Sequence, residues 1–551
     1  LKINTNRIDC NPGARQSHMN HPVNDHGEEM LSLDAIAAKA YAMIAKLFPV
    51  CAFSDEFYFF PQVVGEHKNW QAWDDFSAQT VADAADLLHG AERDLSGLVT
   101  DDLSGDDQVD VDLLRQLLRT LREQLIEVGP HRSQPSFHLT VLAAGFAEAL
   151  ASPEPRAWPE RVAGAPAFLR RAAECLSEVP GVFLILGAEM LHDIQRWIER
   201  LQASGFDTGE MSSALLLFRD AMQQVEVIES PLLPEQVLQR LIAEHIGSGM
   251  SIESVESLLH EELNTMEDVL AQETARLAPG RTWAEAEPLI PFVEATGHDL
   301  LALYRRELEV IEAHCRRHGL VPANAPLAAP LDIALVPDYL AAIRASDAYA
   351  ATPGFPPRGG VFFVMEQARA RHGRPGRSLE YRMTAVHEAW PGHHLLDACR
   401  WQLDRPLRRP VESPLFYEGW ACLAEEMMAR TGYFADRWDR FLLAKRRAER
   451  AARGLIDCGL QSGRMTFAQA QELLLRVGYS PAVAGSVVPK YLLRPGYQIC
   501  YTLGLQQGLD LLDRFGAHDV GLFARTLLSQ GEIGFARLEK ILPAALQRSQ
   551  A

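Results

Sequence analysis

In DVDLLRQLLRTLREQLIEV, residues 110–128, Leu113, Leu114, Leu117, Leu118, Leu121 and Leu125 recur at steps of three and four with charges between them. An α-helix gathers such residues on one face. The same period runs through 33–48, 167–177, 190–203, 232–246, 252–276, 297–318 and 437–457, so the chain is expected to be mainly α. Two stretches interrupt the pattern. VPANAPLAAPLDIALVP (321–337) is rich in proline and alanine and reads as a surface connector. ATPGFPPRGGVFFVME (351–366) sets a Pro/Gly turn before Val361–Val364, the strongest strand candidate. The expected architecture is a two-lobed helical fold with a small β-sheet beside the active-site cleft. Residues 1–30 read as a disordered or tag-derived N-terminus, with Ser17-His18-Met19 resembling a cloning junction. Residues 31–295 read as a helical N-terminal lobe and 296–551 as a catalytic helical lobe.

The formal net charge of −20 argues against nucleic acid and against an anionic membrane surface, because both repel an acidic protein. No apolar run approaches the length of about 18 residues that a membrane span needs. Eight cysteines are scattered with no CxxC pair, which excludes a zinc knuckle or a dithiol motif. Free thiols in a reducing compartment, hence a cytoplasmic protein, are the expectation.

The chemistry concentrates at HEAWPGHHLL, residues 387–396. Two imidazoles four residues apart on a helix reach one metal ion; His387 and His393 are six apart, and His394 is seven. On an unbroken helix six residues mean about 9 Å of rise and about 240° of rotation, the wrong face, while seven restore the face about 10.5 Å along the axis. Pro391 lacks a donor and clashes with the carbonyl of His387, and Gly392 tolerates unusual dihedrals. A bulge over Ala389–Gly392 is therefore expected to return His393 toward His387. Glu418, in SPLFYEGWACLAEE, lies 25 residues after His393, room to leave one helix and return on a second. Two histidines and one carboxylate with an open position make a catalytic site for one Zn²⁺ per chain, with Glu388 as the general base.

HEAWPGHH with YEGWA resembles the bacterial family catalogued as domain of unknown function 885, with its HExxPGHH and EGWA segments. That pattern is similar in turn to the helical zinc peptidases: thimet oligopeptidase, angiotensin-converting enzyme and thermostable carboxypeptidases. Their His-Glu-x-Gly-His core, and the His-Glu-x-x-Gly-His of dipeptidyl peptidase III, favour His393 over His394 as second ligand. His394 then stands as an alternative or supporting histidine, and Glu425 or Glu426 as the carboxylate that orients a ligand. ARGLIDCGLQ (452–461) carries Gln461 where the family commonly has histidine, and Leu423 stands where tyrosine is frequent. RPGYQICYTLG (494–504) resembles another family segment, which implies Tyr501 as an oxyanion donor with Gln498 beside it, and Arg494 is a candidate for a substrate carboxylate. The strand beginning at Gly360 is expected to offer edge hydrogen bonds to an extended peptide.

The reading is a zinc-dependent hydrolase acting on short peptides. A non-peptide amide or amino-acid conjugate at the same site, and a binding protein that has lost turnover, stand as alternatives. A di-iron oxidase needs two Glu-x-x-His motifs, and only Glu189-x-x-His192 is found. The run AKRRAERAAR (444–453) reads as a solvated helix face, and Trp390 and Trp420 as core.

Overall fold

The computed structural model describes residues 32–550, apart from 55, 64–68, 99–102, 153, 230–232, 323–329, 337–345, 352–358 and 367–375. The expectations for residues 1–30 and for the Pro/Gly turn at 352–358 lie outside the described residues. The fold is mainly helical, as the leucine period requires. Helix Gly105–Glu123 buries Val109, Leu113, Leu114, Leu118 and Leu121. It begins where the Ser104 hydroxyl accepts from the Asp107 N–H, with Asp106 and Asp107 in its first turn. Such a cap satisfies an otherwise orphaned donor, and the acids meet the positive end of the helix dipole. No helix among the described residues is long and apolar enough to cross a membrane.

Among the described residues the strands form three small sheets rather than one. The largest runs in the order Leu331–Leu335, Gly360–Val364, Ala348–Ala351. The connector expected over 321–337 thus contains a strand, its apolar alternation having been masked by the flanking prolines. Gly360–Val364 is the central strand, parallel to one neighbour and antiparallel to the other. This corrects the substrate-binding role of Gly360. Its N–H donates to the Pro330 carbonyl at 2.9 Å, and a Cβ there would stand 2.1 Å from the Tyr349 ring. Glycine is needed for Tyr349 to lie across the strand, and the sheet's edges are Leu331–Leu335 and Ala348–Ala351, the second of which lines a cavity.

Two helix pairs frame the site. Pro414–Arg430 lies along Ile499–Leu511, and Ile252–Leu277 lies along Asp439–Gln461. In the first pair a Cβ on Gly419 would come within 2.6 Å of the Gly504 Cα, so paired glycines let the backbones approach. In the second pair Asp439–Gln461 is an interior helix, which corrects the solvated face expected over 444–453. Lys445 is only 1% exposed and makes an ion pair with Glu449 at 2.6 Å. Arg447 pairs with Glu262 at 2.6 Å and with Glu426 at 3.1 Å. Charges on this helix face other buried elements, and each of these finds a carboxylate there.

Candidate metal centre

The helix Tyr381–Glu388 stops one residue after His387, and a second helix, His393–Arg400, starts at His393. The expected bulge is thus a full break. Pro391 has no N–H to continue the ladder, and Gly392 takes ψ −136°. The fold forces glycine at 392, because a Cβ would stand 1.9 Å from the His387 carbonyl oxygen. The Trp420 indole donates to the Pro391 carbonyl at 2.9 Å and ties the break to the Glu418 helix. The outcome is the convergence that the motif needed: the His387 and His393 rings lie 4.8 Å apart between centroids.

Glu418 Oε2 stands 3.3 Å from His387 Nε2 and 3.6 Å from His393 Nε2. Four ligands at about 2.1 Å around a tetrahedral ion are separated by about 3.4 Å, so these donors already stand at the edges of such a polyhedron. Donor atoms of His387, His393 and Glu418 all fall within 4.8 Å of one another, and all three residues are buried. Glu418 Oε2 is buried with no hydrogen-bond partner, an arrangement that is costly unless a cation completes it. The residues therefore fit a metal ion. His394 is buried against Tyr349 and Trp390, with ring centroids 5.5 and 5.4 Å away, and does not share the cluster.

Surrounding groups fix each donor. Glu425 Oε1 faces His387 Nδ1 at 3.0 Å, which turns Nε2 toward Glu418 and sets the imidazole tautomer. Glu425 is itself held by Arg450 at 2.6 Å and Arg446 at 3.0 Å. Burial opposes the charge on Glu425, yet these two guanidiniums hold its carboxyl well below the usual range. Tyr497 donates to Glu418 Oε1 at 2.7 Å, leaving Oε2 for the ion. Burial likewise opposes ionisation of Glu418, but the His387 and His393 imidazoles keep it a carboxylate. Tyr417 stacks on His393 at 3.9 Å. Burial lowers the affinity of His387 for a proton; the Cys422, Glu418 and Glu425 side chains outweigh it and push its pKa well up.

The cluster opens on a cavity of about 400 Å³, lined by Glu388, Tyr349 and Tyr501 from the C-terminal half and by Tyr58 and Gln134 from the N-terminal half. Glu388 Oε2 accepts from the Tyr349 N–H at 2.8 Å. Burial pushes the Glu388 carboxyl above its ordinary range against the pull of His387 and His393. The Tyr501 ring lies nearly parallel to that of His387, 6.4 Å away. Burial first, and the Glu418 charge second, keep the Tyr501 phenol protonated. Gln498 lines the cavity, while its N–H donates to Asp457 at 3.0 Å. Arg494 also lines it but is paired with Glu56 at 3.0 Å. Gln461 is buried off the cavity wall and donates to the Leu492 carbonyl at 3.2 Å.

Sequence reasoning passed over Tyr497, Tyr417, Arg450 and Arg453. Tyr497 had a signal: it precedes Tyr501 by four residues, a spacing that places both on one side of a helical turn. The arginines had none, because the charged run looked like an ordinary surface.

Comparison with known proteins agrees with the motif. A candidate lipoprotein of unknown function from Shewanella oneidensis aligns with a TM-score of 0.69 at 16% identity, over 93% of this chain and 100% of its own. A candidate lipoprotein from Colwellia psychrerythraea aligns with a TM-score of 0.73 at 16% identity, over 94% and 99%. Both share the fold. A Pyrococcus furiosus carboxypeptidase aligns at a TM-score of only 0.40 and 12% identity, over 95% and 99%. No curated protein matches the chain. Residues 62–542 match the family described as "Bacterial protein of unknown function (DUF885)". With the break at Pro391-Gly392 and the Glu418 helix both inside that match, the chain belongs to the DUF885 family.

Proposed function

We propose that this protein is a zinc-dependent hydrolase that cleaves an amide bond in short peptides. The observation that carries this reading is the convergence of His387, His393 and Glu418 beside the buried carboxylate of Glu388 on a single cavity. A donor set of two imidazoles and one carboxylate suits zinc, which when bound polarises a carbonyl and lowers the pKa of water at its open position.

The protein's own groups then divide the work. Glu388 is anchored through Oε2 to the Tyr349 N–H, which leaves Oε1 to take a proton from the attacking water and return it to the leaving nitrogen. Burial, which raises its pKa, makes it a better proton acceptor than an ordinary carboxylate. Tyr501, held protonated, offers its hydroxyl to the charge that develops on the carbonyl oxygen. Tyr497 and Glu425 keep Glu418 and His387 aimed, so little reorganisation is needed during the reaction. A cavity of about 400 Å³ admits a few residues of chain and excludes a folded protein.

Digestion of a mixed peptide library with and without chelator, read by mass spectrometry, tests the reading. Chelator-sensitive cleavage is expected. Glu388→Gln should keep about one metal per chain and lose about 10²–10⁴-fold in rate. A variant as active as the parent would remove Glu388 from the mechanism, and an uncleaved library would remove the peptidase reading.

A further inference from the structure

The cations of the interior helix Asp439–Gln461 follow a rule with one exception. Lys445, Arg446, Arg447 and Arg450 each contact at least one carboxylate of the protein. Arg453, at the next turn on the face of Arg446 and Arg450, contacts none among the described residues, and its Nε is buried with no hydrogen-bond partner. Its guanidinium lies over the Tyr501 ring, 4.4 Å from the centroid, and lines the cavity that holds the metal centre. A guanidinium so placed is costly to desolvate, and a cation–π contact offsets only part of the cost. Three carboxylates that line the same cavity have partners of their own: Glu56 pairs with Arg494, Glu388 accepts from the Tyr349 N–H and Glu418 accepts from Tyr497. Among the described residues no carboxylate completes Arg453, so its guanidinium is open to an anion that enters the cavity.

We infer that Arg453 is the receptor for a free carboxylate on the substrate, so that the substrate class is an amide bearing a carboxylate close to its scissile bond: the C-terminal end of a short peptide or an N-acyl amino acid. The inference rests on the hydrolase reading above for the position of the bond, and moves the carboxylate-binding role from Arg494 to Arg453. Spacing is consistent with this class. The Arg453 guanidinium lies 4.4 Å from the centre of the Tyr501 ring, which is itself 6.4 Å from that of His387. An extended chain advances about 3.5 Å per residue, so a carboxylate at Arg453 belongs one or two residues from the amide. A planar guanidinium suits a carboxylate because it donates two parallel hydrogen bonds.

Calorimetry with N-acetyl-leucine and its primary amide, on the full chain both metal-loaded and chelated, separates the possibilities. The acid is expected to bind at least about tenfold more tightly than the amide in both forms. Arg453→Gln should cost the acid about 30-fold or more and bring the two ligands to within about twofold, while Arg453→Lys keeps part of the preference. Equal binding of acid and amide by the parent would overturn the inference. So would a preference that survives Arg453→Gln, that disappears with the metal, or that collapses instead in Arg494→Gln or Lys490→Met. If Arg453→Gln does not fold, the Lys variant and the two forms of the parent still decide. Carboxylate preference without any hydrolysis strikes the hydrolase reading alone; hydrolysis without the preference strikes this inference alone.

Discussion

The helix His393–Arg400 carries two kinds of buried polar residue, and its two ends teach different things. At the N-terminal end His393 meets Glu418, whose Oε2 has no hydrogen-bond partner and faces the cavity. Two turns on, Arg400 is wholly buried yet enclosed: it pairs with Asp397, with Glu532 at 3.1 Å and with Glu412 at 3.7 Å, and donates to Gln62 at 2.7 Å. Burial alone therefore does not mark function in this protein. A donor set that converges but is left incomplete marks a candidate site, while a charge ringed by opposite charges holds structure together. The Arg400 network also ties the C-terminal half to Gln62 of the N-terminal half, alongside the Tyr41 hydroxyl that donates to the Leu407 carbonyl at 3.0 Å.

The sharpest way to break this contrast is to remove a ligand. His393→Ala should cost more metal affinity than the about 100-fold lost with a group that only orients a ligand, with thermal stability in chelator little changed; metal retained at parental affinity would exclude His393 as a donor. Arg400→Met should do the reverse. It leaves Asp397, Glu412 and Glu532 without their cation and should lower unfolding free energy by about 3–5 kcal/mol, measured by urea denaturation in chelator. A loss under about 1 kcal/mol would show that the network does not hold the fold.

Glu425→Gln tests a residue that belongs to both classes, since it orients His387 and neutralises Arg446 and Arg450. Metal affinity should fall about 10–100-fold, read by competition with a chromophoric chelator, together with a modest loss of stability. The smallest effect is that of pH. Because the fold raises the pKa of His387, its protonated form is favoured, and the metal requires the neutral ring. Affinity should therefore fall as pH falls, by up to about tenfold per unit for one displaced proton, starting above the ordinary imidazole range. A pH-independent affinity through neutrality would mean that no proton on His387 competes with the ion.

Much of the fold was legible because helix periodicity is local: the leucines of Gly105–Glu123 face the core at the spacing that their sequence positions dictate. The same logic misled at 444–453, where a helix covered on several sides by carboxylates has the composition of a surface helix. The strand at 331–335 was hidden by prolines on either side, and the partner order that puts Gly360 at the centre of its sheet is a matter of long-range pairing.

By itself the sequence determined that the chain is helical, that a proline-glycine pair must interrupt the histidine motif, and that His387 and Glu418 are able to share an ion with His393 or His394. Those properties depend on residues within a few turns of one another or on donor chemistry that only a few side chains possess. Tertiary structure alone decided that the interruption is a break between two helices, that His393 rather than His394 joins the cluster, that Tyr497 and Arg450 hold the donors in place, and that Arg453 faces the cavity with no carboxylate partner among the described residues. Each of these is set by helices far apart in the chain meeting at close range, and no local pattern encodes which face of one helix a distant one will cover.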